Sequence, residues 1–307
     1  YLTQSGGFQP NVITYNTVIH AHAEAGNVTR CECWLLQMLS SKLLPNEVTM
    51  ASVINACAEA GDIKKAERWL QVMQDTESWP EPNEFSYHAV MKACVNTGNL
   101  EKVEYWVDRM LLSGFAMTSR TYNLVIHACA QVGDIVKAES KVLEMEEAGC
   151  QPDRITYNSI INTCATRGDD RRADMWVKRM VSQGIQPDQI TMGSLCKAFA
   201  RKGKYAAIQQ VISELPKQGL RPNKYFFASL ISACATARPP QPMIAEGAFL
   251  QCLQAGLKTE PLIGVLRRAV GRSRVAQLCE TYNVSQETGV QRDKRNRTGV
   301  AQGGGRW

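Results

Sequence analysis

Long apolar runs are missing from this sequence of 307 residues. Nothing approaches the roughly 18 uninterrupted apolar residues of a membrane-crossing helix, so no membrane span is expected. No strand pattern is evident, and no glycine-rich loop follows one, which leaves no phosphate cradle of the nucleotide-binding kind. The four histidines, His20, His22, His88 and His127, have no H-x-E and C-x-x-C set to form the zinc site of a deaminase. Cys31-x-Cys33 lacks the second pair of thiols that a tetrahedral zinc site needs. Eleven cysteines are too few and too evenly spread for a disulfide-stapled secreted scaffold. The chain is therefore read as non-catalytic, with no cofactor, no metal and no small-molecule substrate.

What is present is enough for a core. Hydrophobic residues make up 44% of the chain, which excludes wholesale disorder. The net charge of +6 is placed unevenly: residues 261–307 hold nine Lys/Arg against three Asp/Glu, so residues 1–260 balance to zero. A nucleic-acid binder usually carries a basic face. Any such partner must be met here by a local stripe or by the C-terminal end.

The cysteines give the first positive signal. Cys57, Cys94, Cys129 and Cys164 lie 37, 35 and 35 residues apart, and Cys234 is two steps further. Gly26, Gly61, Gly98, Gly133, Gly168 and Gly203 share the pitch, as do Met38, Met73, Met110, Met145 and Met180, and Trp34, Trp69, Trp106 and Trp176. Such a period marks a repeat array. Seven units follow: 12–46, 47–83, 84–118, 119–153, 154–188, 189–223 and 224–260. Residues 1–11 match the end of a preceding unit. Residues 261–282 form a degenerate capping hairpin, and 283–307 a basic, Gly-rich tail expected to stay flexible until bound.

Each unit reads as two helices. In the fifth, Tyr157, Ile160, Ile161 and Cys164 make one i, i+3, i+4, i+7 stripe, and Ala173, Trp176, Val177 and Met180 make a second. Gly168 ends the first helix and Asp169 caps the next. A Pro-Asp or Pro-Asn step is expected to close the second helix. Trp, Met and Cys columns at this spacing are core positions, with the thiols as small buried packing. Neither stripe can be buried within one unit, so units must stack.

The openings VITYNTVI (12–19) and RITYNSII (154–161), with the closing GIQPD (184–188), resemble the pentatricopeptide repeat family over about 250 residues. The resemblance implies an all-α, right-handed α-solenoid, a superhelix of stacked antiparallel helix hairpins. It also implies that first helices line a concave groove in which one repeat meets one base of single-stranded RNA. Base choice would fall to the fifth and last residues of each unit: Asn16 with Asn46, Ala51 with Asn83, His88 with Thr118, Asn123 with Asp153, Asn158 with Asp188, Gly193 with Asn223, and Ala228 with Glu260. Asn-Asp is the family's pairing for uracil, and Asn-Asn favours a pyrimidine. The second residue would stack on the base: Ile13, Val48, Phe85, Arg120, Ile155, Ile190 and Tyr225.

Phosphate contact, by the same resemblance, would come two residues before the interhelical glycine. That register holds Glu24, Glu59, Asn96, Gln131, Thr166 and Arg201, so the first two units would repel RNA. The hospitable cations are Arg167, Arg201 and Lys202, joined by Arg292, Lys294, Arg295 and Arg297 in the tail. Asp153 and Asp188 also have a purely structural reading as helix caps.

Two functions are open. One is a single-stranded RNA binder, of mRNA or rRNA, acting in transcript metabolism or translation in a mitochondrion or plastid, with a targeting segment that this chain does not include. The other is a scaffold subunit of a large organellar assembly such as a ribosome. Its solenoid would brace protein subunits while the basic tail contacts rRNA or protein.

Overall fold

The computed structural model describes residues 9–282 and Val284. Most of the segment 1–11 and nearly all of the tail 283–307 lie outside the described residues. Among those described there are sixteen α-helices and no strand, and they pair into eight hairpins. These are α1 (Val12–Glu24) with α2 (Val28–Ser40), α3 (Glu47–Glu59) with α4 (Ile63–Asp75), α5 (Glu84–Asn96) with α6 (Leu100–Leu112), and α7 (Ser119–Val132) with α8 (Ile135–Glu147). Next come α9 (Arg154–Arg167) with α10 (Asp170–Ser182), α11 (Gln189–Arg201) with α12 (Tyr205–Glu214), α13 (Lys224–Thr236) with α14 (Pro242–Gln254), and α15 (Glu260–Val270) with α16 (Arg272–Thr281). The chain is an all-α repeat solenoid.

It forms two compact bodies, one up to Pro187 and one from Asp188 onward. Within the first, α1, α3, α5, α7 and α9 pack in succession, and α2, α4, α6 and α8 each touch the first helix of the next hairpin. Within the second, α11, α13 and α15 pack in the same way. Each first helix thus serves two neighbours, which buries stripes that one hairpin leaves open.

The core is built from the repeated columns. Cys57, Cys94, Cys129, Cys164 and Cys234 are fully buried, as are Met38, Met110, Met145 and Met180. Trp106 and Trp176 are buried, while Trp34 and Trp69 are half-buried. Outer-layer ion pairs set the stacking distance in the first body. Glu32 accepts from Lys65 Nζ at 2.9 Å and Trp69 Nε1 at 3.4 Å. Glu67 takes Lys102 at 2.7 Å and Trp106 at 3.2 Å, and Glu139 takes Arg172 at 3.4 Å and Trp176 at 2.8 Å. At these three joints an indole and a cation on one carboxylate hold a second helix against the next.

Two expectations are corrected. The second helices do not end at the Pro-Asp step. They end several residues earlier, where Gly149 and Gly184 adopt left-handed φ of +76° and Cys150 N–H and Ile185 N–H reach back to the carbonyls of Met145 and Met180. Proline comes too late in the chain to be the terminator. The register of the seventh unit also shifts, because α15 begins at Glu260 with Thr259 as its cap. Thr259, not Glu260, is the counterpart of Asn46 and Asp153.

Lys42 occupies the same left-handed position in the first hairpin, at φ +58°. A non-glycine residue there is strained by about 1 kcal/mol. Lys42→Gly is expected to stabilise the protein by roughly 0.5–1 kcal/mol, read as a higher urea midpoint. Thiol chemistry follows from burial, which pushes Cys57 and Cys164 up to about 12 and Cys94, Cys129 and Cys234 to about 11. Iodoacetamide at neutral pH should label exposed Cys33, then half-buried Cys150, and leave the nine buried thiols untouched until denaturant is added.

Candidate nucleic-acid interface

The tetrapeptide I-T-Y-N at 13–16 and 155–158 assigns a different environment to each residue. The isoleucine is exposed, 73% at Ile13 and 63% at Ile155. The threonine, at the third helical position, completes a capping box: Thr156 N–H donates to Asp153 Oδ1 at 2.9 Å, and Asp153 N–H donates to Thr156 Oγ1 at 3.1 Å. The tyrosine turns to the core, where Tyr15 and Tyr157 are at most 3% exposed. The asparagine sits at the groove-side margin, half-buried. Helical geometry separates the four directions within little more than one turn.

The fifth and last residues meet within the first body. Asn16 Nδ2 donates to Asn46 Oδ1 at 3.0 Å, and Asn123 Nδ2 donates to Asp153 Oδ1 at 3.2 Å. In both, the buried threonine of the next helix donates to the asparagine carbonyl, Thr49 to Asn16 and Thr156 to Asn123, at 2.5 Å. One oxygen of Asp153 therefore caps α9 and fixes Asn123. The cap role of Asp153 and its pairing with Asn123 coexist in one geometry. Asp188 likewise caps α11 through Oδ1, and Asn158 lies on α9, in the other body.

Where the fifth residue carries no amide, the cap turns elsewhere. Asn83 Nδ2 donates to Glu47 at 2.9 Å and Asn223 Nδ2 to Gln189 Oε1 at 3.3 Å, beside Ala51 and Gly193 respectively. Thr118 donates to Glu84 Oε1 at 3.0 Å. These first-position partners, Glu47, Glu84 and Gln189, were not singled out from the sequence. An acidic or amide residue at the start of a helix suggests dipole compensation before it suggests a neighbour one repeat away.

His88 is placed differently from its expected role at a base edge. It is 2% exposed, and its Nε2 lies 2.9 Å from Thr121 Oγ1. Above it Arg120 packs over Phe85, with its guanidinium carbon 5.6 Å from the ring centroid. The second-position residues of α5 and α7 thus touch while both stay exposed, and the His88 ring itself is turned away from solvent. Burial lowers the His88 pKa, Glu84 opposes this at 3.6 Å, and Arg120 reinforces it.

The cations also divide. Arg167 donates from Nε to Gly133 O at 3.0 Å and from Nη2 to Val132 O at 2.9 Å, so it satisfies the carboxyl end of α7 rather than standing clear for phosphate. A Cβ on Gly133 would lie 2.3 Å from that guanidinium, and its φ is +76°, so this position requires glycine. Arg201 and Lys202 are exposed at the end of α11. Glu59 is paired with Lys92, which cancels the repulsion expected from it. The tail candidates Arg292, Lys294, Arg295 and Arg297 lie outside the described residues.

The second-position column is the most exposed apolar feature of the first helices. Ile13, Val48, Phe85, Ile155, Ile190 and Tyr225 are 57–73% exposed, and charged Arg120 occupies the seventh place. Beside this column stand the polar pairs, repeated at the same pitch.

Fold and face together define a helical-hairpin repeat protein that presents a new set of side chains at each step of about 35 residues. The chain belongs to the pentatricopeptide repeat family. It matches the PPR repeat family over residues 10–59 and 117–166, a pentatricopeptide repeat domain over 176–236, and the PPR repeat over 48–75, 85–115 and 155–185. Among solved structures it is similar to the maize pentatricopeptide repeat protein PPR10 in complex with an 18-nt psaJ RNA element. That likeness has 20% identity and a TM-score of 0.59, over 91% of this chain and 45% of that one. It is also similar to the nuclear proteinaceous RNase P 2 of A. thaliana, with 14% identity and a TM-score of 0.51, over 62% of this chain and 43% of that one. The chain thus spans less than half the length of either. No curated protein matches it.

Among the described residues no His, Cys, Asp and Glu group is placed to hold a metal ion, and no helix is long and apolar enough to cross a membrane.

The buried imidazole sets a pH dependence. Unfolded histidine binds a proton near pH 6.5, and the folded group binds it only at lower pH. Stability is expected to fall as pH drops below about 6.5 and to level off beneath the folded value. Urea midpoints at pH 7.5 and 5.5 should show this drop, and His88→Gln should make it shallower.

Proposed function

We propose that this chain is a non-catalytic, single-stranded RNA-binding repeat protein that meets one base per open repeat, working in organellar RNA metabolism or translation. The observation that carries the reading is the exposed apolar column beside a column of polar pairs. Six apolar side chains held in water at one register have no use in the core. An apolar surface next to a fixed donor and acceptor is what an unstacked base requires.

The chemistry of each pair suggests its base. Asn123 keeps a second amide hydrogen, and no described residue bonds Asp153 Oδ2. A donor beside a carboxylate matches the carbonyl and N3–H of uracil, whereas the N3 of cytosine is an acceptor and would face the carboxylate. Asn16 with Asn46 offers two amide donors, which suits the O2 and N3 acceptors of cytosine or a uracil carbonyl. The third repeat, whose His88 Nε2 is taken by Thr121, interrupts the address between these two. Membership of the family supports a mitochondrial or plastid setting.

Affinity for short single-stranded RNAs, with and without a central UU, tests the reading across a salt series. Asn123→Ala with Asn158→Ala should weaken binding to the UU RNA about tenfold, or roughly 1.4 kcal/mol. RNA without UU should be little affected. Equal losses on both RNAs, or none, would remove base reading by these residues.

A further inference from the structure

The outer layer of the first body carries a face that neither the core nor the groove uses. Its helices α6, α8 and α10 each have 13 residues and begin at Leu100, Ile135 and Asp170. They lie side by side in one direction, because the Glu104–Lys137, Glu139–Arg172 and Glu146–Arg179 ion pairs join them at matching levels. On each helix the second, sixth, ninth and thirteenth residues form one i, i+4, i+7, i+11 stripe, exposed throughout. The same places on α4 are all polar: Lys64, Arg68, Gln71 and Asp75. On α6, α8 and α10 they hold Tyr105, Leu112, Val136, Leu143 and Met175 in water, 47–81% exposed. Apolar side chains gathered at one register and rimmed by charge mark a surface that another molecule covers.

The charges say what covers it, for they are sorted by helix. α6 carries Glu101 and Asp108 at the second and ninth places, and α10 carries Arg171 and Lys178 at the same two places. Between them α8 has Val136 and Leu143 there. Glu101, Asp108 and Arg171 make no ion pair among the described residues, and Lys178 pairs within its own helix, 2.7 Å from Asp174. A two-fold axis lying along α8, between two copies set face to face, keeps the direction of every helix and exchanges left for right. Then α8 meets α8, and α6 lies over α10 of the second copy, level for level. Glu101 faces Arg171, Asp108 faces Lys178, and Tyr105 faces Met175, while Val136 and Leu143 meet their own copies. Glu147 also meets its own copy, at the helix end, where both carboxylates can turn to water. An axis running across the helices would set α6 on α6 and bring acid to acid. The sorting selects the first arrangement.

We propose that the outer face of α6, α8 and α10 pairs with the same face of a second copy of this chain, about a two-fold axis along α8. The pairing puts apolar contact at the centre, methionine against an aromatic ring beside it, and opposed charges at the rim. Each helix is about 20 Å long and neighbours lie roughly 10 Å apart, so the face measures roughly 600 Å² per copy. That lies at the lower limit of a specific interface, and the dimer is accordingly weak. The first helices of each hairpin lie on the far side from this joint, so pairing leaves the groove face of both copies open. Two such faces on one particle raise the effective concentration for a second segment of the same ligand.

Sedimentation velocity on the whole chain across a concentration series tests this, and a monomer–dimer equilibrium with a Kd of roughly 10 μM is expected. Leu143→Arg, at an exposed place on the axis, should weaken the dimer at least about tenfold and leave the far-UV spectrum unchanged. Glu101→Lys with Asp108→Lys should leave a monomer, as should Arg171→Glu with Lys178→Glu, because α6 and α10 then carry one sign of charge. Mixing these two double variants should restore the dimer, since an all-basic face then meets an all-acidic one. A chain still monomeric at about 100 μM overturns the proposal. So does a dimer indifferent to both charge reversals, and so do double variants that stay monomeric when mixed. No readout here involves RNA, so the outcome is separate from that of the RNA reading.

Discussion

Every hairpin in this protein has an apolar stripe that it cannot cover by itself. All else follows from that deficit. A 13-residue helix such as α3 buries Met50, Val53, Ile54 and Cys57 only because α1 and α5 lie on either side of it. Each large side chain removed from water contributes about 1.5–3 kcal/mol, and packing between hairpins completes what packing within them begins. The repeat pitch, the ion pairs of the outer layer and the spacing of the groove side chains are fixed by this mutual burial.

Polar chemistry then decides how the stack is finished. On the outer layer a glutamate binds a cation and an indole from the next hairpin. On the groove side one cap oxygen serves the helix it begins and the asparagine before it. The two layers do different work. The outer bonds keep hairpins in step, and the inner ones hold half-buried amides in a single orientation.

Most of the fold was legible because its signals are periodic. The Cys, Met and Gly columns gave the pitch, and the stripes of the fifth unit gave two helices with the Gly168–Asp169 junction between them in the right place. The misreadings lie where a local rule was applied without geometry. Pro152 and Pro187 looked like helix terminators, but Gly149 and Gly184 reach the left-handed conformation first. Glu260 was counted as a last residue, since one-residue shifts at caps leave no trace in the pitch. In the candidate site, the pairings of Asn16 with Asn46 and Asn123 with Asp153 were legible, as was the register of the exposed column. It was illegible where a contact spans about 35 residues: Arg167 on the carbonyls of α7, Lys92 on Glu59, Arg120 over Phe85. No composition or spacing shows which of two plausible partners a long side chain will choose.

The oxygen shared at the Asn46 and Asp153 joints has a consequence for how such an array can evolve or be rewritten. Asn46, Asn83, Thr118, Asp153, Asp188, Asn223 and Thr259 all occupy the residue before a first helix. Short side chains with an oxygen begin a helix best at that point. On the proposed reading, the physics of starting a helix biases the recognition alphabet at this position toward Asn, Asp, Ser and Thr. A letter outside that set would change what a repeat reads and at the same stroke loosen the joint that places it. On that reading, spelling and masonry share the same atoms.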